Sequence, residues 1–251
     1  MPHDGRIRTG ALIRHNTTLL LREPGPLLSR MVLPLAFLVT LRPLYTAAQG
    51  PAAGTAQAVL SALVTFSLLA MSIVGTSLLN ERVWRTWSRL RATEMRPVEL
   101  LAGKGIPVLC ALLAQQVVIL VAGLALGVRI ANPALLAVAL LAWTLVLLAI
   151  GAGLGAFAGS YGALSASHDI GGLVLSSLGG ALVPIAAMPD WLRAIAPVSP
   201  GYWAVSGLRA ALTGNVATAL GASAVLVGFA LVAGAVAAWR INRGWGRTAK
   251  L

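Results

Sequence analysis

Six apolar stretches, near residues 31–48, 57–79, 106–128, 133–158, 170–188 and 216–239, dominate what this chain can fold into. A helix needs about 20 mainly apolar residues to cross a hydrocarbon core. It also satisfies its backbone hydrogen bonds internally, as lipid demands. The spacing therefore predicts an all-α membrane protein with six transmembrane helices. The first stretch is the weakest, because MVLPLAFLVTL runs straight into Arg42 and Pro43. That span has to carry Arg42 in its outer third and let the guanidinium reach toward the headgroups. Roughly 30 mostly polar residues precede it, a pattern unlike a cleaved signal peptide.

Composition narrows the function classes. Of 251 residues, 58% are hydrophobic and only 10% charged, against about 25% charged in a soluble domain. The net charge of +12 raises the question of nucleic acid, but a nucleic-acid binder gathers its basic residues on a soluble face. Here they lie between apolar runs, so no nucleic-acid partner is expected. The single Cys110 sits in an apolar run and allows no internal disulfide. His3, His15 and His168 are scattered and form no metal-ligand pattern.

The charges do orient the chain. With both termini inside, fifteen of the nineteen Lys and Arg fall on the inner side and four on the outer. Cytoplasmic loops carry the excess of Lys and Arg, so the expected placement is multi-pass in the cell membrane with both termini cytoplasmic. Topology alone accounts for any single arginine in this count.

Small and polar residues suggest how the spans pack. Gly151, Gly155 and Gly159 repeat at four-residue spacing, as do Gly172, Ser176 and Gly180, and such spacing lets helix backbones approach closely in lipid. Ser61, Thr65, Ser72 and Thr76 share one face of the second span. Two readings stand for this stripe: the lining of a substrate path, or hydroxyl bonding within and between helices. Gln115 and Gln116 in the third span are equally open, although a buried amide in lipid needs a partner.

The segments between spans have their own signals. MPDWLRAIAPVSPGYWAVSGLRAALTG is punctuated by Pro189, Pro197 and Pro200 and reads as two short outer interfacial helices, about 189–214. Ser199–Pro200 suits an N-cap and first turn, Gly214 a C-terminal stop, and Trp191, Tyr202 and Trp203 an aromatic belt. Residues 1–30 form an N-terminal interfacial segment, with Leu12, Ile13, Leu19 and Leu20 on one side and Arg14, His15 and Thr18 opposite. Residues 240–251 are a basic cytoplasmic tail. Asp169, next to His168, is read either as the N-cap and dipole partner of the fifth span or as part of a proton relay.

Residues 80–104, NERVWRTWSRLRATEMRPVELLAGK, stand apart, with six basic and three acidic side chains and two tryptophans between two apolar runs. Wound as a helix over about 81–96, the segment turns Val83, Trp87 and Leu90 one way and Arg82, Arg85, Arg89 and Arg96 the other. Arg91 and Glu94 interrupt the apolar side, which favours a surface helix touching a soluble partner over one lying wholly in lipid. Glu81 sits where the second span leaves the membrane. An ionisable group there is a functional candidate, and a carboxylate in a helix's first turn also complements the dipole.

The run Glu81-Arg82, Thr86, then Ser88-Arg89-Leu90-Arg91-Ala92, followed by Pro97-Val98-Glu99-Leu100-Leu101-Ala102-Gly103-Lys104, resembles the linker between spans two and three of ABC-2-type transporter permeases. These are the membrane subunits of daunorubicin-type multidrug exporters. Arg22-Glu23-Pro24, the six-span layout of residues 31–239, and the outer segment from Pro189-Asp190-Trp191-Leu192 to Gly207-Leu208-Arg209 are similar too, so the resemblance covers nearly the whole chain. Arg85 stands where the family usually has glycine, and Glu94-Met95 where it often has a small residue and proline.

The resemblance implies that the 81–96 segment is a coupling helix docking into a separate ATPase subunit, with Glu81, Arg82, Trp84, Arg85, Trp87, Arg89 and Leu90 as the docking and relay residues. It also implies a dimer of permeases, identical or not, and export of a hydrophobic or amphiphilic molecule. No Gly-x-x-x-x-Gly-Lys-Ser/Thr phosphate loop is present, and Gly103-Lys104-Gly105 lacks the upstream glycine and the hydroxyl. ATP and magnesium are thus expected on the partner, with no cofactor on this chain. An ion-coupled secondary transporter is the alternative carrier, and would want an acid or a broken helix at mid-depth. A membrane-embedded enzyme would need clustered acids, histidines or a nucleophile with its base, whereas the seven acids are dispersed.

Overall fold

The computed structural model of the protein describes residues 2–22, 24–68, 71–84 and 97–243, and these are helical with short connections and no strand among them. In chain order the helices are α1 (Pro2–Arg22), α2 (Pro24–Gln49), α3 (Pro51–Leu68), α4 (Met71–Val83), α5 (Pro97–Ala125), α6 (Pro133–Phe157) and α7 (Tyr161–Leu178), then the short α8 (Asp190–Ile195), α9 (Pro200–Thr213) and α10 (Val216–Asn242). Two single 3-10 turns, Ile185–Ala187 and Ala196–Val198, flank α8.

Among the described residues, five stretches are long and apolar enough to cross a membrane: Leu28–Gln49, Pro51–Glu81, Leu101–Ala125, Pro133–Phe157 and Val216–Asn242. The protein is an all-α membrane protein. The stretch expected at 170–188 takes a different form, because α7 begins at Tyr161 and stops at Leu178. His168 and Asp169 fall inside it and dilute its apolar character. Gly180, at φ +77°, and Pro184 then turn the chain away from helical geometry. The first span runs unbroken past Arg42 and Pro43 to Gln49, and Arg42 Nε donates to Thr55 Oγ1 at 3.2 Å.

Local signals fix the helix ends. Asn132, Ser160 and Asn215 cap α6, α7 and α10, each side chain accepting from the backbone N–H three residues on. Ser199 accepts from the Gly201 N–H ahead of Pro200, and Gly214 closes α9 in the left-handed conformation, as expected from the sequence.

α6 is the centre of the bundle. It packs against α10, α4 and α9, and its Trp143 is completely buried in the main apolar core with Leu60, Leu63, Ile119, Leu208 and Leu226. A smaller cluster of Val74, Leu78, Val108, Leu112, Ala156 and Ile241 fills the other end. The glycine spacing in α6 has a direct purpose: a Cβ on Gly155 would sit 2.5 Å from the Gly75 carbonyl oxygen, and one on Gly151 2.6 Å from that of Met71. The backbones of α4 and α6 thus touch, as small residues allow in lipid. Gly159 makes no such approach.

The N-terminal segment is docked on protein. α1 lies along α5, Leu12 packs directly over Gly103, and Asn16 Nδ2 donates to the carbonyl oxygens of Leu12 (2.9 Å) and Gly103 (3.2 Å). α9, expected as an interfacial helix, buries Ala204, Val205, Leu208 and Ala211 in the main core.

Candidate functional site

Four features follow one another along the second span. At one end a cleft of about 440 Å³ opens between α2, α3, α4, α5 and α7. Its apolar walls include Leu33, Phe66 and Leu164, and its polar lining includes Arg30, Ser72, Thr76, Gln115 and the His168–Asp169 pair. At the other end a pocket of about 760 Å³ lies between the end of α2, the 182–187 turn and α9, with Leu44, Tyr45, Tyr202 and Arg209 in its wall.

Between them a buried hydrogen-bonded network closes the bundle. Gln57 Nε2 donates to the carbonyl oxygens of Gly180 and Ala181, both at 3.1 Å, and Gln57 Oε1 accepts from Arg209. Ser61 Oγ donates to the Ala181 carbonyl, and Tyr45 Oη to that of Leu182 at 2.7 Å. The turn after α7 carries backbone carbonyls with no helical partner, so these side chains satisfy groups that would be costly to leave bare. The left-handed Gly180 aims two successive carbonyls at one amide.

The stripe Ser61, Thr65, Ser72, Thr76 therefore divides. Ser61 belongs to the network, and Thr65 bonds Ser176 of α7 at 2.8 Å, so these two act as helix-packing hydroxyls. Ser72 and Thr76 face the cleft. The glutamines divide as well. Gln116 joins Ser67 of α3 and Thr144 of α6, at 3.3 and 3.1 Å, while Gln115 reaches the cleft wall with its Nε2 buried and without a partner among the described residues.

The fourth feature is the stem on either side of the 85–96 segment. Lys104 Nζ of α5 lies 2.8 Å from Glu81 Oε1 of α4 and donates to the Ser77 carbonyl, also at 2.8 Å. Lys104 is 6% exposed and Glu81 18%. Next to this pair, Tyr161 Oη donates to Asn80 Oδ1 at 2.5 Å and ties α7 to the same end of α4. Glu81 stands near the C-terminus of α4 and pairs with Lys104, while the 85–96 part of the helix whose dipole it was read to complement lies outside the described residues. Asp169 is no N-cap. α7 starts eight residues earlier at Tyr161, capped by Ser160, and Asp169 Oδ1 instead lies 2.9 Å from His168 Nδ1. The other ring nitrogen of His168 is 3.2 Å from the Leu68 carbonyl oxygen.

The family model for ABC-2 type transporters matches residues 8–213, from α1 through α9. The chain belongs to this family. Comparison with curated protein sequences finds no match. The family's membrane domain is a permease without catalytic chemistry of its own, so the chain is the permease of an ABC transporter and not an enzyme. Members generally work with an ATPase subunit and dimerise.

In this ABC-2 permease the residues read from the sequence as a docking surface are only partly in view. Trp84 is 67% exposed at the end of the α4 stem. Arg85, Trp87, Arg89 and Leu90 lie outside the described residues, as does the side chain of Arg82. The structure adds residues that the sequence reading passed over. Lys104 was legible as part of the linker motif, but its pairing with Glu81 joins positions 23 apart in the chain. Gln57 precedes Ser61 by one helical turn and extends the polar stripe. Arg209 entered only as part of the outer-segment motif, and Arg30 only as a charge.

Proposed function

We propose that this permease is the membrane half of an ATP-driven exporter that moves a hydrophobic or amphiphilic small molecule out of the cell. Hydrolysis takes place on a separate ATPase subunit seated on the 81–96 helix, and two permease chains, identical or not, complete the pathway. The observation that carries this reading is the cleft with mixed apolar and hydroxyl lining, bordered by Tyr161 at the stem of the docking segment and sealed from the far pocket by the Gln57–Ser61–Arg209 network. With the termini cytoplasmic, as the basic residues favour, the cleft lies toward the inner leaflet and the sealed pocket toward the outside, the order an exporter uses. Transport requires the network to open when ATP closes the partner.

Pull-down of the ATPase with the tagged permease tests the docking. Interface energy concentrates in a few aromatic and arginine anchors. Trp87→Ala or Arg89→Ala should weaken retention by about 2 kcal/mol at moderate salt, with Arg96→Ala milder. A helix merely resting on an anionic leaflet would instead lose about 1 kcal/mol per Arg, interchangeably and with strong salt dependence. Full transport by the purified permease with no ATPase present would overturn the exporter reading in favour of an ion-coupled carrier.

A further inference from the structure

Arg30 lies two residues inside the first span, Leu28–Gln49, and the described residues give it no hydrogen bond, ion pair or aromatic partner. It is half-buried and turns into the bundle, bordering both the 440 Å³ cleft and a void of about 10 Å³ that it shares with Met31, Ile73, Leu112 and Gln115. An arginine serving only as a topology charge would reach outward to the lipid headgroups. One that points into a cavity without forming an ion pair there has room for a partner from elsewhere, because a charge taken out of water unpaired is costly.

The cleft holds one carboxylate, Asp169, and it is already engaged. Its Oδ1 meets His168 Nδ1 and its Oδ2 accepts from Ser165 Oγ at 3.1 Å, and it makes no ion pair with Arg30. Two nitrogen donors without a partner among the described residues remain for a ligand, beside the Thr76 hydroxyl. One is the guanidinium of Arg30, whose fork matches a carboxylate or phosphate. The other is the Gln115 amide, 2% exposed, with an unpartnered Nε2. The terminal torsion of a glutamine is soft, so its NH₂ can turn from the small void to the cleft wall. Beside these donors stand the apolar Leu33, Phe66 and Leu164. The volume lies within the range of small-molecule pockets, about 300–1,000 Å³.

We infer that this cleft is a binding site for an acidic amphiphile, whose carboxylate or phosphate head pairs with Arg30 and Gln115 while its chain lies along Leu33, Phe66 and Leu164. The inference deepens the export reading by giving its cargo a charge class. It rests on that reading for its link to transport but not for binding itself.

The test is equilibrium binding of radiolabelled dodecyl phosphate to the full-length permease in phosphatidylcholine nanodiscs, without ATP. Saturable binding is expected, weakened about tenfold or more by Arg30→Ala and about threefold by Arg30→Lys and by Gln115→Leu. Dodecanoate should compete, and dodecyltrimethylammonium should not. Melting curves of each variant separate lost binding from lost folding, and the lysine variant keeps the charge should the alanine variant fail to fold. Binding unchanged by Arg30→Ala in a normally folded variant overturns the inference, leaving Arg30 a topology charge. Inorganic phosphate competing as well as dodecyl phosphate overturns it in favour of a free-anion site. Loss of ATP-dependent transport with intact binding would count against the export reading alone.

Discussion

Lys104 is a cation with a 6% exposed side chain at the point where α5 enters the bundle, and among the described residues Glu81 is the carboxylate paired with it. Breaking such a pair from one side leaves an uncompensated buried charge, whereas replacing both partners with apolar groups often costs little. Glu81→Ala should therefore destabilise the permease by about 3 kcal/mol. Glu81→Leu combined with Lys104→Met should recover most of that loss. Thermal unfolding of wild type, both single variants and the double variant in detergent closes the cycle, and single losses that simply add would show that the pair is not coupled. Transport should separate from stability in the double variant. The pair joins the last turn of α4 to α5 across the 85–96 segment, so a thermally stable double variant should still transmit ATP closure poorly. ATP turnover that responds to substrate as in wild type would reduce the pair to a structural neutralisation.

Among the elements, the α4–α6 crossing is the most sharply constrained. Gly155→Ala places a methyl 2.5 Å from the Gly75 carbonyl oxygen, which the backbones can relieve only by separating. The expected cost is about 2 kcal/mol. Gly153, two residues away on the open side of the same helix, has nothing within 4 Å of a built Cβ. Gly153→Ala should be neutral, or stabilising by up to about 1 kcal/mol through helix propensity. Unfolding in SDS, followed by tryptophan fluorescence, compares the two, and equal behaviour would mean that the close approach is not tight. The four-residue spacing of Gly151 and Gly155 made this packing legible from sequence, since small-residue periodicity has few other uses inside a span. The extent of α7 was not legible. Hydropathy finds apolar length, and His168 with Asp169 lowered it over the first half of a real helix, while the apolar residues 181–183 after Gly180 raised it where the helix had ended. The pairing of Gln57 with the carbonyls of Gly180 and Ala181 was equally out of reach, because it depends on a left-handed turn meeting a residue 123 positions earlier.

For the whole molecule, the sequence determines the number and polarity of the long helices far better than what they enclose. The cleft draws on five helices, and no local pattern announces that Ser72 and Thr76 face it while Ser61 and Thr65 do not. The orientation of the bundle is the last global property that the charges predict, and it decides whether the cleft faces the cytoplasm. Fifteen of nineteen basic residues share one side if the termini are inside, a bias strong enough to set topology. Single cysteines introduced into a Cys110→Ser background report it directly. Arg91→Cys and Lys250→Cys should be protected from a membrane-impermeant maleimide in intact cells and become reactive after permeabilisation. Asp190→Cys, at the start of α8 with a 98% exposed side chain at that position, should react in intact cells. The reverse pattern would place the cleft toward the outer leaflet and the Gln57 network toward the cytoplasm. The same geometry would then describe uptake rather than export, and the docking helix would face a compartment that holds no ATPase.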